Sequence, residues 1–197
     1  MLMVEGRGLV VGGSFQLVGG GGAGADVGTA ARCPHLALWS GRAWQCLGDV
    51  THAVRALAAL GEHLYVGGDF VSAGGLPLQY FARYHVTTGL WEAAGSGVAV
   101  NGPVMALRAL GPCLYLGGVF ESPSRFVTRY CVDRDEAFDA VAGDQVGPVT
   151  AMAAASAADE AAMLAWAPQR LLCHLSSVWT ERPQGPCPGF DPASWNV

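Results

Sequence analysis

The chain contains no lysine and no isoleucine, and only 14% of its 197 residues carry a charge. Its 11 basic side chains are therefore all arginine, set against 16 acidic ones for a formal net charge of −5. Such a balance offers no extended cationic surface to displace counterions from a phosphate backbone, which argues against nucleic acid as a partner. The two missing residue types, with abundant Ala, Gly, Val and Arg, fit a GC-rich coding sequence. Ala and Gly runs are discounted as functional signals for that reason. No apolar stretch reaches the ~20 residues of a membrane-spanning helix. The opening Met1-Leu-Met-Val-Glu-Gly-Arg-Gly8 lacks the basic and apolar regions of a signal peptide. An extracellular or cell-surface location is expected only if the chain belongs to a larger repeat protein.

Groups that would converge in an enzyme are also scarce. The five histidines (His35, His52, His63, His85, His174) are scattered along the chain and not paired at ligand spacing. His35 and His52 are expected at one loop-rich end, without a third ligand. The acidic run Asp133-Arg-Asp-Glu136 reads as a solvated turn, lacking the glycine and distant glutamate of a calcium loop. Gly19-Gly-Gly-Gly-Ala-Gly24 has no Gly-Lys-Ser/Thr continuation and reads as a flexible loop rather than a phosphate cradle. No cofactor, metal or catalytic residue is expected. Six cysteines (Cys33, Cys46, Cys113, Cys131, Cys173, Cys187) permit 15 complete pairings, and none has the C-x-x-C spacing of a zinc site. A hairpin turning near Ser122-Pro123 brings Cys113 nearly opposite Cys131, in reach of a disulfide, but the geometry of that bond is restrictive and the leading expectation is small buried thiols.

What the chain does have is repetition. Leu9-Val-Val-Gly-Gly-Ser-Phe15, Leu64-Tyr-Val-Gly-Gly-Asp-Phe70 and Leu114-Tyr-Leu-Gly-Gly-Val-Phe120 place glycine pairs 55 and 50 residues apart, a spacing typical of solenoids and propellers. Val54 to Phe70 aligns without a gap over Val104 to Phe120, and well over half of those positions are identical. Each unit reads as a strand, a break at Gly61 or Gly111-Pro112, and a second strand rich in β-formers. A third strand follows in Tyr80 to Val86 or Phe126 to Val132, and a fourth in Leu90 to Ala94 or Ala137 to Val141. Trp44, Trp91 and Phe138 recur every 47 residues in the fourth strand, and are expected to anchor one unit on its neighbour rather than stack on a ligand. The glycine pairs, by the same repetition, are expected to serve packing or a bulge.

The expected fold is all-β: a β-propeller of about four four-stranded antiparallel blades, as an incomplete or open ring. The blades occupy residues 1–185, approximately 1–48, 52–98, 102–144 and 147–182, with a proline-rich irregular tail over 186–197. Gap-free extension of the alignment sets Met1-Leu2 over Ala56-Leu57, inside a first strand, which is the basis for expecting an incomplete ring. In the fourth unit the glycine pair is absent, Ala162 to Trp166 stands for the second strand, and the Ala153 to Ala161 segment is expected to be a long hairpin loop.

The succession Val-x-Ala-Leu, Leu-Tyr-Val-Gly-Gly-x-Phe, Ala-Arg-Tyr and Gly-x-Trp resembles the kelch-related propeller repeat of the galactose-oxidase central-domain type. It is also similar to repeats of fungal cortical-marker surface proteins and of large bacterial secreted proteins. The resemblance covers about residues 1 to 180 and is specific in units two and three. Copper-radical activity is not carried over, because the tyrosine, cysteine and histidine ligands of that enzyme have no match here. The functional expectation is a non-catalytic scaffold that binds protein or carbohydrate through its second-to-third-strand loops: Gln16 to His35, Val71 to Gln79 and Glu121 to Ser124. The linker Gly95 to Pro103 belongs to the same face. The alternatives are a fragment of a glycan-acting propeller hydrolase or oxidase, and a structural spacer of a larger surface protein.

Overall fold

A computed structural model describes residues 1–4, 6–19, 31–95, 100–133, 138–140, 147–154 and 163–166. Among them there is no helix, and every paired strand is antiparallel. The first sheet is built from β1 (Leu2–Val4), β2 (Gly8–Gly12), β5 (Leu36–Trp39) and β6 (Trp44–Cys46), with a ribbon of β3 (Leu17–Val18) and β4 (Ala31–Arg32) inserted between β2 and β5. The second sheet runs β7 (Val54–Leu60), β8 (His63–Gly68), β9 (Phe81–His85) and β10 (Trp91–Ala93). The third runs β11 (Val104–Leu110), β12 (Cys113–Gly118), β13 (Val127–Cys131) and β14 (Phe138–Ala140). A two-stranded ladder of β15 (Ala151–Ala154) and β16 (Met163–Trp166) follows. The third and fourth strands expected of the last unit, Cys173, Cys187, His174 and the proline-rich tail lie outside the described residues.

Neighbouring first strands lie against one another: β1 against β7, β7 against β11, and β11 against β15. The second strands β8 and β12 are covered on both sides. Residues 64–68 of β8 and 114–118 of β12 are all buried, which is why Leu-Tyr-Val and Leu-Tyr-Leu show no polar alternation. Two apolar layers result. One joins the first and second sheets through Val10, Leu36, Val54, Leu64 and Phe70; the other joins the second and third through Tyr65, Phe81, Val104, Leu116 and Tyr130.

The glycine pairs have two separate jobs. A methyl group on Gly12, Gly67 or Gly117 would sit 2.5, 2.6 or 2.6 Å from a Cγ1 of Val54, Val104 or Val149, the first valine of the next unit. The second glycine faces its own unit: a methyl on Gly68 or Gly118 would lie 2.2 or 2.1 Å from the carbonyl oxygen of Ala53 or Pro103. Opposite the second and third pairs the first strand carries a bulge, between Val54 and Ala56 and between Val104 and Ala106. Packing and bulge, the two roles expected of these glycines, occur together.

The aromatic anchors are cross-strand partners within their sheets. Trp39 opposes Trp44 at 5.2 Å between ring centroids, and Tyr84 opposes Trp91 at 5.3 Å. Trp91 also bridges units, its indole N–H donating to the Leu47 carbonyl at 2.8 Å while its ring fills a slot between Gly48 and Gly74. Trp44 instead packs with Phe15 on Val18, Cys33 and Ala37 of its own unit. The β14 side chains, Phe138 among them, lie outside the description.

Gly67→Ala is expected to cost about 1–3 kcal/mol of unfolding free energy, because the new methyl overpacks Val104. In a denaturant-unfolding double-mutant cycle, adding Val104→Ala should cost less in the Gly67→Ala background than in the wild type.

Candidate functional site

At the end of the sheets where β2, β8 and β12 leave for the third strand, one backbone device recurs three times. His35, Tyr80 and Phe126 adopt φ of 65°, 61° and 62°. Their N–H groups donate to the carbonyls of Phe15, Phe70 and Phe120 at 2.9, 2.8 and 2.9 Å, and their carbonyls accept from the N–H of Gly13, Gly68 and Gly118 at 3.0, 3.0 and 2.9 Å. A left-handed backbone costs a non-glycine residue about 1–2 kcal/mol, and here both polar groups of that residue are engaged in return. The clamp closes connections of very different length on the same geometry. A side chain from the preceding linker secures two of them further. Thr51 Oγ1 accepts from the N–H of Val71 and Ser72 at 3.1 and 3.2 Å, and Asn101 Oδ1 accepts from Glu121 and Ser122 at 2.9 and 3.0 Å.

In the first unit the loop is more organised at its base than the sequence suggests. Above the clamp it continues as the β3–β4 ribbon, and a disulfide joins Cys33 to Cys46 on β6, with Cα atoms 5.0 Å apart. No ladder register pairs these two cysteines, so strand pattern gave no signal for the bond. Residues 20–24 of the glycine run lie outside the described residues. The second disulfide, Cys113–Cys131, joins directly opposed residues of β12 and β13, as hairpin geometry implied. Asp133 approaches these sulfurs, but both are consumed in the S–S bond and neither offers a thiolate to a metal. Residues 134–136 of the acidic run lie outside the described residues.

Of the two histidines expected at this end, His35 is buried and structural. Its Nδ1–H donates to the Gly13 carbonyl at 3.1 Å and its Nε2 accepts from the Gln16 amide at 2.9 Å. His52 is exposed.

At the opposite end, where the β7–β8 and β9–β10 turns lie, two histidines that are distant along the chain come together. His63 and His85 face each other across β8 and β9, with ring centroids 4.8 Å apart. The repeat held the signal: aligned over the third unit, His63 stands at Cys113 and His85 at Cys131. Glu92 receives Arg83 Nε at 2.8 Å and lies 3.9 Å from His63 Nε2, while Glu62 lies 3.5 Å from His85 Nε2. His85 Nδ1 accepts from the backbone N–H of Thr87 and Thr88 at 3.2 and 3.3 Å. Its neutral ring therefore carries the proton on Nε2, a tautomer that cannot ligate a metal through that nitrogen.

Beside it, a cleft of about 30 Å³ between the first and second sheets is lined by Val4, Arg7, Leu38, Gln45, Tyr84 and Val86 among others. This is room for about one water. Burial pushes the Tyr84 phenol above its ordinary value of 10.0, with the Arg7 guanidinium partly opposing the shift.

The raised Tyr84 pKa makes the fold lose stability as pH rises above 10, where the unfolded chain releases the proton first. Alkaline unfolding followed by fluorescence should show a weaker pH dependence in Tyr84→Phe. At the other end, Asn101→Ala should cost about 0.5–2 kcal/mol and raise hydrogen exchange at Glu121 and Ser122, by analogy with loss of a helix cap. Compared with known proteins, the chain matches no protein-family model and no curated protein.

Proposed function

We propose that the chain is a run of kelch-like β-propeller blades, forming an open ring or part of a larger one, and that it serves as a non-catalytic scaffold for binding protein or carbohydrate. The blade reading is supported by three sheets of one topology whose first strands pack successively against each other. The observation that carries the function is the shared clamp. It holds connections of 19, 9 and 5 residues, counted between Phe15 and His35, Phe70 and Tyr80, and Phe120 and Phe126, on one rigid frame. Unequal loops on an invariant base are the arrangement in which recognition varies while the fold does not. Two disulfides among the described residues favour an oxidising compartment, in keeping with an extracellular or cell-surface protein. No helix among those residues is long and apolar enough to cross a membrane.

The test is a loop exchange. Residues 71–79 are replaced by residues 121–125 in the full chain, leaving Phe70 and Tyr80 to form the clamp. The wild-type chain is expected to bind a glycan or protein from an immobilised glycan array and a panel of secreted proteins. The exchanged chain should keep its Tm within a few degrees and lose that binding. Equal binding by the two chains, or no wild-type binding to either set, overturns the proposal.

A further inference from the structure

We propose that His85 is a proton-operated latch that joins the first sheet to the second. The latch is a chain of contacts through the turn after β9. His85 Nδ1 holds the amides of Thr87 and Thr88, and Val86 N–H donates to the Glu62 carbonyl at 3.0 Å. Arg7, from the β1–β2 turn, donates to the carbonyl of Val86 and to Thr87 Oγ1. Arg7 and His85 thus meet at one peptide unit, Arg7 on its Val86 carbonyl and His85 on its Thr87 N–H.

Protonation reverses the polarity of the decisive contact. A neutral imidazole has one nitrogen to accept a hydrogen bond, whereas the imidazolium has two donors and no acceptor. Once Nδ1 carries a proton it faces two N–H groups that can no longer use it, and the turn must rearrange. Charged and aromatic groups face the ring from several elements. Glu62 at 3.5 Å and Glu92, held by Arg83, supply negative charge from the β7–β8 turn and from β10, while His63 lies edge-on from β8. Arg7 and Arg83 are the nearby cations, and the Tyr84 phenol stays neutral. The His85 side chain is 20% exposed, so solvent protons reach it. The latch is closed while Nδ1 accepts the two amides and opens when that nitrogen takes a proton. Opening frees the turn and releases Arg7, loosening the first sheet from the second at this end.

The experiment is amide hydrogen exchange and histidine NMR titration on the full chain. Between pH 7.5 and 5.5, after correction for intrinsic exchange, protection at Thr87 and Thr88 should fall about tenfold, the order expected for losing one backbone hydrogen bond. Amides of β12 and β13 should not change and serve as the reference. In His85→Asn, whose Oδ1 can accept from amides two and three residues on without titrating, protection should be retained and its pH dependence lost. His63→Gln should leave the dependence in place, which separates the two rings. Protection at Thr87 and Thr88 that ignores pH, or a pH dependence that survives in His85→Asn, overturns the proposal. If His85→Asn disturbs the β12 and β13 reference, the test rests on the wild type: the turn amides must change with the same midpoint as the His85 ring, and a mismatch overturns the latch.

Discussion

The contact between a bare glycine and the first valine of the next unit is the constraint on which the molecule depends. Gly12, Gly67 and Gly117 each receive such a valine with no space for a methyl group between them. That contact sets how closely one sheet approaches another. The approach in turn buries both faces of β8 and β12 and creates the apolar layers joining the first three sheets. Because core packing is dense, a contact repeated at each junction fixes a common separation and leaves little freedom for individual sheets to adjust. The second glycine and the bulge opposite it serve a related purpose. They bring the linker carbonyl of Ala53 or Pro103 close to the second strand, where Asp69 or Val119 donates its N–H at 3.0 or 2.8 Å.

Positions equivalent by repeat hold different chemistry on the same frame. The pair opposed across the second and third strands is His63–His85 in one sheet and the Cys113–Cys131 disulfide in the next. The bulge position is Arg55, whose guanidinium meets Asp69 at 2.7 Å, and in the following unit Met105, with Val119 where the aspartate was. Both replacements change two partners together. Exposed ion pairs of the Arg55–Asp69 kind are worth about 0–1 kcal/mol, so the exchange for apolar partners costs the frame little.

The all-β character, the order of strands in the second and third units, the packing role of the glycines and the facing of Cys113 and Cys131 were legible in the sequence, because each follows from a local pattern in register. The Cys33–Cys46 bond and the β3–β4 ribbon were not, since they belong to an insertion present in one unit and have no counterpart to align against. The His63–His85 pair falls between these cases. Each histidine looks solitary along the chain, and only the register of two strands 22 residues apart shows them as neighbours. The left-handed residues were hidden for another reason: His35, Tyr80 and Phe126 share a backbone conformation and no side-chain type.

That shared conformation separates the work of closing a loop from the content of the loop. For a flexible chain, lengthening a connection from 5 to 19 residues adds only about 1 kcal/mol of closure entropy, and the clamp hydrogen bonds are the same at either length. Each unit therefore carries a socket with fixed terminals, into which segments of different length fit without renegotiating the sheet beneath. A frame of this kind can accept the exchange of whole segments, one unit at a time, while its neighbours keep their register.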